Sequence, residues 1–146
     1  MIGELQMSDR MIKLGMYDEK FNKLIGQELE SMDIYYSRGL SSHLLKRHHY
    51  KALKYINNLP EIISCPDYVG FDPKEPDSIE FVKMYEDNIW VGIKIDKDEK
   101  YYYVSTMYDV QMSKISRRLH SGRIKLVVAE NTKDEKFLDE NIDKMQ

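Results

Sequence analysis

The sequence predicts an α+β fold in which helices are followed by a mainly antiparallel, roughly four-stranded sheet. Three observations carry this reading. Ile89, Val91, Ile93 and Ile95 alternate with Trp90, Gly92, Lys94 and Asp96, a two-residue period with one apolar face. After Asp109 the period becomes helical: Met112, Ile115 and Leu119 share one side, and Lys114, Arg117 and Arg118 the other. All 4 prolines fall between Leu59 and Asp77, so they separate a region of helical spacing from a region of strands.

Taken in order, Met7 to about Ser31 has helical spacing at Leu14, Phe21, Leu24 and Ile25, interrupted by Gly15 and Gly26. Asp33 to Ser37 reads as a short strand ended by Arg38-Gly39. Ser41 or Ser42 can cap a second helix running to about Asn57 and stopping before Pro60. Leu59 to Asp77 reads as an irregular connection. Strands are expected at Ile79 to Glu86, at Ile89 to Asp96 and, after the charged loop Asp96 to Lys100, at Tyr101 to Thr106. The helix that follows should end at Gly122, before a last strand, Ile124 to Ala129. The tail from Glu130 is acidic, with Phe137, Leu138, Ile142 and Met145 spaced for an amphipathic helix. The division is therefore a helical N-terminal extension (1–32), one α+β domain (33–129) and an acidic tail (130–146).

At 146 residues, with 42% hydrophobic and 32% charged side chains, the chain is long enough for a core and fits a soluble globular protein. A single cysteine, Cys65, excludes an internal disulfide and fits a reducing compartment. The opening MIGELQMSDR has no signal-like apolar run, and no stretch is long enough to cross a membrane. The expected location is the cytoplasm, with no membrane partner. The 11 tyrosines suit either base stacking or strand faces.

The formal net charge of −3 hides two basic, histidine-bearing stretches. Tyr36 to Tyr55 holds His43, His48 and His49 and no acid; Met112 to Lys125 holds His120. On a helix of about 100° per residue, His43, Arg47, Tyr50 and Lys54 fall together, flanked by Lys46 and Lys51. Leu44, Leu45, Ala52 and Ile56 form the opposite stripe, with His48 in or beside it and His49 between the faces. Such a surface suits an anion, and imidazole can take either proton role near neutral pH. Metal ligation is disfavoured, because His43 and His48 would diverge by about 140° on a helix and no HExxH or cysteine pair accompanies them. No metal and no cofactor is expected.

Tyr103 to Tyr108 ends a strand and enters the second basic helix. On a regular strand Ser105 and Thr106 point to opposite faces, so only one would share a cleft with Tyr108. No GxSxG elbow, GxxxxGK[ST] loop or GxGxxG is present. Arg117, Arg118, His120, Arg123 and Lys125 form a second cationic cluster suited to phosphate.

The succession IYYSRGLSSHLLKRHH, INNLPEIISCPDYVG, SIEFVKMYEDNIWVGIKID, YYYVSTMYDV and SGRIK resembles the phage-type branch of the barnase–EndoU–colicin–RelE nuclease fold. These RNase domains occur in phage and mobile-element proteins, toxins among them, and as stand-alone chains. The resemblance covers about Asp33 to Val127, and its most specific pieces are HxxxRH (His43 to His48, with Arg47), PDYVG (Pro66 to Gly70) and VSTMY (Val104 to Tyr108). It implies a nuclease domain over 33–129, with helices before a four-stranded sheet, an active site on the open sheet face, and RNA cleavage without metal. It matches His43 and His48 to the family's histidines, Ser105 or Thr106 and Tyr108 to its polar strand end, and Arg123 to its late basic residue.

Metal-free RNA cleavage needs a base for the 2′-hydroxyl, an acid for the leaving oxygen and cations for the developing charge. The expected assignment is His43 as base, His48 or His120 as acid, and Arg47 with Arg123 as stabilisers. Lys46, Lys54, Lys114, Arg117, Arg118, His120 and Arg123 would hold RNA phosphates. The expected substrate is RNA, with tRNA a candidate, and an immunity or inhibitor protein is a candidate partner. The competing reading is a non-catalytic phage or mobile-element module that holds nucleic acid or blocks a host protein; it needs the cations but not the histidines.

Overall fold

The computed structural model describes residues 11–128. The acidic tail and the first residues of the expected N-terminal helix lie outside them. The elements are β1 (Met11–Met16), α1 (Asn22–Ile25), β2 (Asp33–Ser37), α2 (Leu40–Lys46), α3 (Tyr50–Leu53), α4 (Leu59–Ser64), β3 (Tyr68–Gly70), β4 (Ser78–Met84), β5 (Asn88–Asp96), β6 (Tyr101–Val110), α5 (Met112–His120) and β7 (Ile124–Leu126). Single 3-10 turns occupy Glu19–Phe21 and Ile56–Asn58. The strands make one sheet in the order β1-β2-β6-β5-β4-β3-β7. Its neighbours are antiparallel except β2 and β6, which pair in parallel through Ile34–Tyr102 and Tyr35–Tyr103.

Among the described residues the protein is thus a mixed α/β fold with a seven-stranded sheet, not the four-stranded sheet preceded by helices that the sequence suggests. The N-terminal region supplies β1, which pairs with β2 from Met11–Ser37 to Met16–Asp33. The helical spacing there mixes two elements. Leu14 sits on the strand, whereas Phe21, Leu24 and Ile25 lie in a short turn and helix that cover the same core. Pairing with β2 satisfies a whole row of backbone groups, which an isolated short helix of this composition does less well.

The second expected helix also breaks. His49 N–H donates to Leu44 O (2.9 Å) and His48 N–H to Leu45 O (3.2 Å), the pairing of a Schellman end, with His48 at φ 60°. Glycine usually takes that left-handed position; here histidine does, so the sequence carries no stop signal. Beyond Pro60 the connection is more regular than expected. Pro60 stands in the first turn of α4, where its missing N–H costs nothing, and β3 then bridges β4 and β7.

The strands read from alternation are present. On one face of the sheet, Ile34, Ile79, Phe81, Ile89, Val91, Ile93, Tyr102, Val104 and Met107 pack with Tyr17, Phe21 and the helix residues Leu40, Leu44, Ala52, Leu59, Ile62 and Ile63. On the other, a smaller cluster of Val82, Trp90, Ile115 and Ile124 seats α5. Ile115 is the only buried residue of α5, so its packing supplies about 1.5–3 kcal/mol to docking. The helix ends as expected: Gly122 at φ 81° donates to Leu119 O, and Arg123 N–H to Arg118 O. That cap turns the chain directly into β7.

Gly70 of β3 lies under this turn. A Cβ there would stand 2.7 Å from Ile124 Cγ2 and 2.8 Å from Arg123 O, a backbone atom with little freedom to move. Gly70→Ala is therefore expected to destabilise the protein by about 1–3 kcal/mol, read as a lower urea midpoint. An unchanged midpoint would mean that β7 is loosely held.

Candidate active site

The second face of the sheet is only partly covered. Beyond α5 it carries a small cavity of ≈ 180 Å³ walled by residues of three adjacent strands and one loop: Ser78 and Glu80 of β4, Trp90, Gly92 and Lys94 of β5, Ser105, Thr106 and Tyr108 of β6, and Glu75. The placement follows from register. Glu80 faces Gly92, Gly92 faces Thr106, and Trp90 faces Tyr108, so all of them project from the same face.

One irregularity changes what the sequence implied. The β5–β6 register shifts between Gly92 and Ile93: Gly92 pairs with Thr106 but Ile93 with Val104, leaving Ser105 as an extra residue. Ser105 and Thr106 therefore both line the cavity, where a regular strand would have sent one to each face. Their hydroxyls differ in use. Ser105 Oγ donates to Gly92 O (3.1 Å) and so closes the bulge, whereas Thr106 is exposed.

Tyr108 and Lys114 form the polar centre. Lys114 Nζ lies 4.7 Å from the Tyr108 ring centroid and 5.0 Å from that of Trp90, and donates to the Tyr108 hydroxyl at 3.2 Å. Trp90 and Tyr108 are themselves stacked, 17° between planes. Burial, then the nearby Glu80 carboxylate, push the Tyr108 phenol up, with Arg123 and Arg118 opposing. Burial lowers Lys114, and the guanidiniums of Arg118, Arg123 and Arg117 add to this against the pull of Glu80. The pair is a protonated phenol beside an ammonium that gives up its proton more readily than an ordinary lysine.

Glu80 is the only charged residue in the buried core among the described residues. Its Oε1 accepts from Arg123 Nη2, which also lies 3.4 Å from Asp72 Oδ2. Burial works against the charge on Arg123, but the hydrogen bond to Glu80 and the charges of Glu80 and Asp72 outweigh it, and its pKa is raised. The Schellman turn after α5 delivers Arg123 to this point. Glu80 Oε2 and Arg123 Nε are both buried and without hydrogen-bond partners among the described residues.

The histidine segment meets this site through His49. His43 is exposed on α2 next to the buried Leu44, and His48 is exposed with Nδ1 2.6 Å from the Tyr50 hydroxyl. Lys46, Arg47 and Lys54 are exposed, as are Arg117, Arg118 and His120 on α5. None of the four histidines lines the cavity. His49, which the sequence alone did not single out, comes nearest. The break at His48 turns it toward the sheet, and its ring lies 6.2 Å from that of Tyr108. Glu80, Trp90 and Lys94 were also missed, although their places opposite the apolar alternation of β4 and β5 put them on this face. Among the described residues no group of three His, Cys, Asp or Glu side chains converges, and no helix is long and apolar enough to cross a membrane.

The family model described as phage-Barnase-EndoU-ColicinE5/D-RelE like nuclease matches residues 12–117. No curated protein and no solved structure matches the chain significantly. The match begins within β1 and ends within α5, so it includes the cavity floor, Tyr108 and Lys114 and stops before Arg123.

Glu80→Gln would remove the charge that holds Arg123. The expected loss is about 1.5–3 kcal/mol, that of a charge-assisted hydrogen bond, measured by chemical denaturation. A loss under a few tenths would mean that Asp72 alone retains the guanidinium.

Proposed function

The chain belongs to the phage-Barnase-EndoU-ColicinE5/D-RelE like nuclease family, and from that premise we propose that it is a metal-independent endoribonuclease acting at the cavity beside Tyr108. The observation that carries this reading is the Tyr108 hydroxyl held 3.2 Å from Lys114 Nζ on an open sheet face.

The reaction suited to these groups is internal transesterification. The RNA 2′-oxygen attacks the adjacent phosphorus, the bond from phosphorus to the 5′-oxygen breaks, and the products are a 2′,3′-cyclic phosphate and a 5′-hydroxyl. The 2′-hydroxyl proton goes to a base, and the 5′-oxygen takes a proton from an acid. Tyr108 is the acid in this assignment, because burial keeps its phenol protonated and the Lys114 ammonium stabilises the phenolate left behind. His49, the histidine nearest to Tyr108, is the base. Thr106 orients a phosphate oxygen, and Arg123 and Lys114 face the charge that develops on phosphorus.

His43, His48, Arg47, Lys46 and Lys54 then belong to the approach, where exposed cations and imidazoles meet the RNA backbone. Arg117, Arg118 and His120 do the same on the opposite side, along α5. A tRNA is a suitable substrate class, since single-stranded loops expose the 2′-hydroxyl to in-line attack. An active enzyme of this kind in a cytoplasm needs restraint, which makes an immunity or inhibitor protein the expected protein partner. A phage or mobile-element setting and a toxin role accord with that need.

The test is incubation of purified protein with tRNA and a mixed RNA pool, with and without EDTA. Cleavage is expected to persist in EDTA. Tyr108→Phe and His49→Ala should each lower kcat by about 10²–10⁴-fold. Lys114→Met should lose cleavage while the protein stays folded by circular dichroism, because the methionine keeps an apolar stem against Trp90 and Tyr108 and removes only the ammonium. If the His43→Ala/His48→Ala double variant is dead and His49→Ala is not, the proton roles return to α2 and its end. Binding without cleavage under every condition would instead favour a module that holds nucleic acid.

A further inference from the structure

A second cavity lies away from Tyr108 and is strongly cationic. It has a volume of ≈ 540 Å³ and runs between the end of α1, the loop after β3 and the turn from α5 into β7. Lys23, Arg118, Arg123 and Lys125 line it, and among the described residues no carboxylate does. Among the described residues Lys23, Arg118 and Lys125 have no ion-pair partner. Phe71 and Pro73 supply an apolar wall.

Lys23, Arg118 and Lys125 thus gather beside Arg123, the one cation of the four that Glu80 and Asp72 already hold, and like charges left together without a counter-charge repel. An anion would relieve it. The apolar wall adds a surface on which a planar base can lie. The cavity also connects to the active site through one side chain, because Arg123 lines it and hydrogen-bonds Glu80, a wall of the cavity beside Tyr108.

We propose that this cavity is a nucleotide subsite for the single-stranded RNA flanking the cleaved bond, with Lys23, Arg118 and Lys125 on its phosphates and Phe71 and Pro73 against a base. The proposal rests on the ribonuclease reading for the identity of its ligand. A strand crossing both cavities passes Arg123, which links them through Glu80. Substrates too short to reach the second cavity lose its contribution.

The test uses a fluorescent 2′-O-methyl oligonucleotide, which has no free 2′-hydroxyl and is not cleaved, titrated with the full chain over a range of salt. Lys23→Ala/Lys125→Ala is expected to weaken binding about tenfold and to reduce the log–log salt slope by about 1.4, two phosphate contacts at roughly 0.7 each for a single strand. Phe71→Leu should weaken binding while leaving the slope unchanged. The control, Lys13→Ala/Lys97→Ala, removes two lysines outside this cavity. Equal weakening by the control, or an unchanged slope in Lys23→Ala/Lys125→Ala, overturns the subsite. Because binding is read without cleavage, failure of the nuclease reading shows separately, as absence of product from unmodified RNA.

Discussion

The pairing of β5 with β6, and the single extra residue within it, is the constraint on which the rest of the structure depends. The ladder runs from Asn88–Val110 to Asp96–Tyr101, so it fixes the side-chain direction of most of the central sheet. Before the bulge and after it, Tyr102, Val104 and Met107 all reach the main core. The extra residue lets Ser105 leave the alternation without sending Thr106 and Tyr108 to the wrong face. Gly92 makes this possible: a Cβ there would stand 2.7 Å from Thr106 Cγ2. Ser105 then ties the bulge to the carbonyl of Gly92, which turns a ladder defect into a fixed local geometry. A side chain on such a strand is positioned by the core behind it.

A second consequence concerns the uneven cover of the two faces. The main core takes residues from every long strand, whereas α5 rests on one buried isoleucine, the aromatic contacts of Lys114 and a capped end. Such a helix is held at points, not along its length. Its basic face stays in solvent, and the chain that leaves it carries Arg123 to Glu80 and Asp72. The buried pair is not strong evidence of stability, since desolvation offsets much of the attraction. Its value is positional: a guanidinium held by Glu80 and Asp72 has few alternative places.

Strand alternation made β4, β5 and β6 legible, and Gly122 marked the end of α5. Other features left no such mark. β1 was hidden because Leu14 and the turn residues after it imitate a helical period, and only the pairing with Asp33 to Ser37 resolves them. The break at His48 was invisible because a histidine fills a backbone position that glycine usually signals. β3, three residues long, is too short for periodicity to register, whereas β7 (Ile124–Leu126) falls inside the last strand that the sequence suggests. Around the candidate site, Tyr108, Arg123 and the Ser105–Thr106 pair stand out by residue type and order, without a choice between the two hydroxyls. Glu80 and His49 depend on register and on the chain reversal, neither of which a single sequence states.

The reversal at His48 carries the functional geometry further than the histidine count does. On an unbroken helix His43, Arg47, Tyr50 and Lys54 would share a face and His49 would lie between the two surfaces. The left-handed residue instead ends α2, releases His49 toward β6 and restarts the helix as α3. Beyond Tyr103, β6 has no paired strand on its β2 side among the described residues, and α3 packs against β6. His49 thus meets Tyr108 across a strand edge, while His43 and His48 stay with the exposed cations. A left-handed conformation at a non-glycine residue costs about 1 kcal/mol or more, and a glycine at this position would avoid that cost. The histidine's Nδ1 contact to Tyr50 offsets part of it and couples the reversal to the basic surface. Backbone geometry, more than side-chain spacing along one helix, therefore decides which imidazole stands beside the phenol.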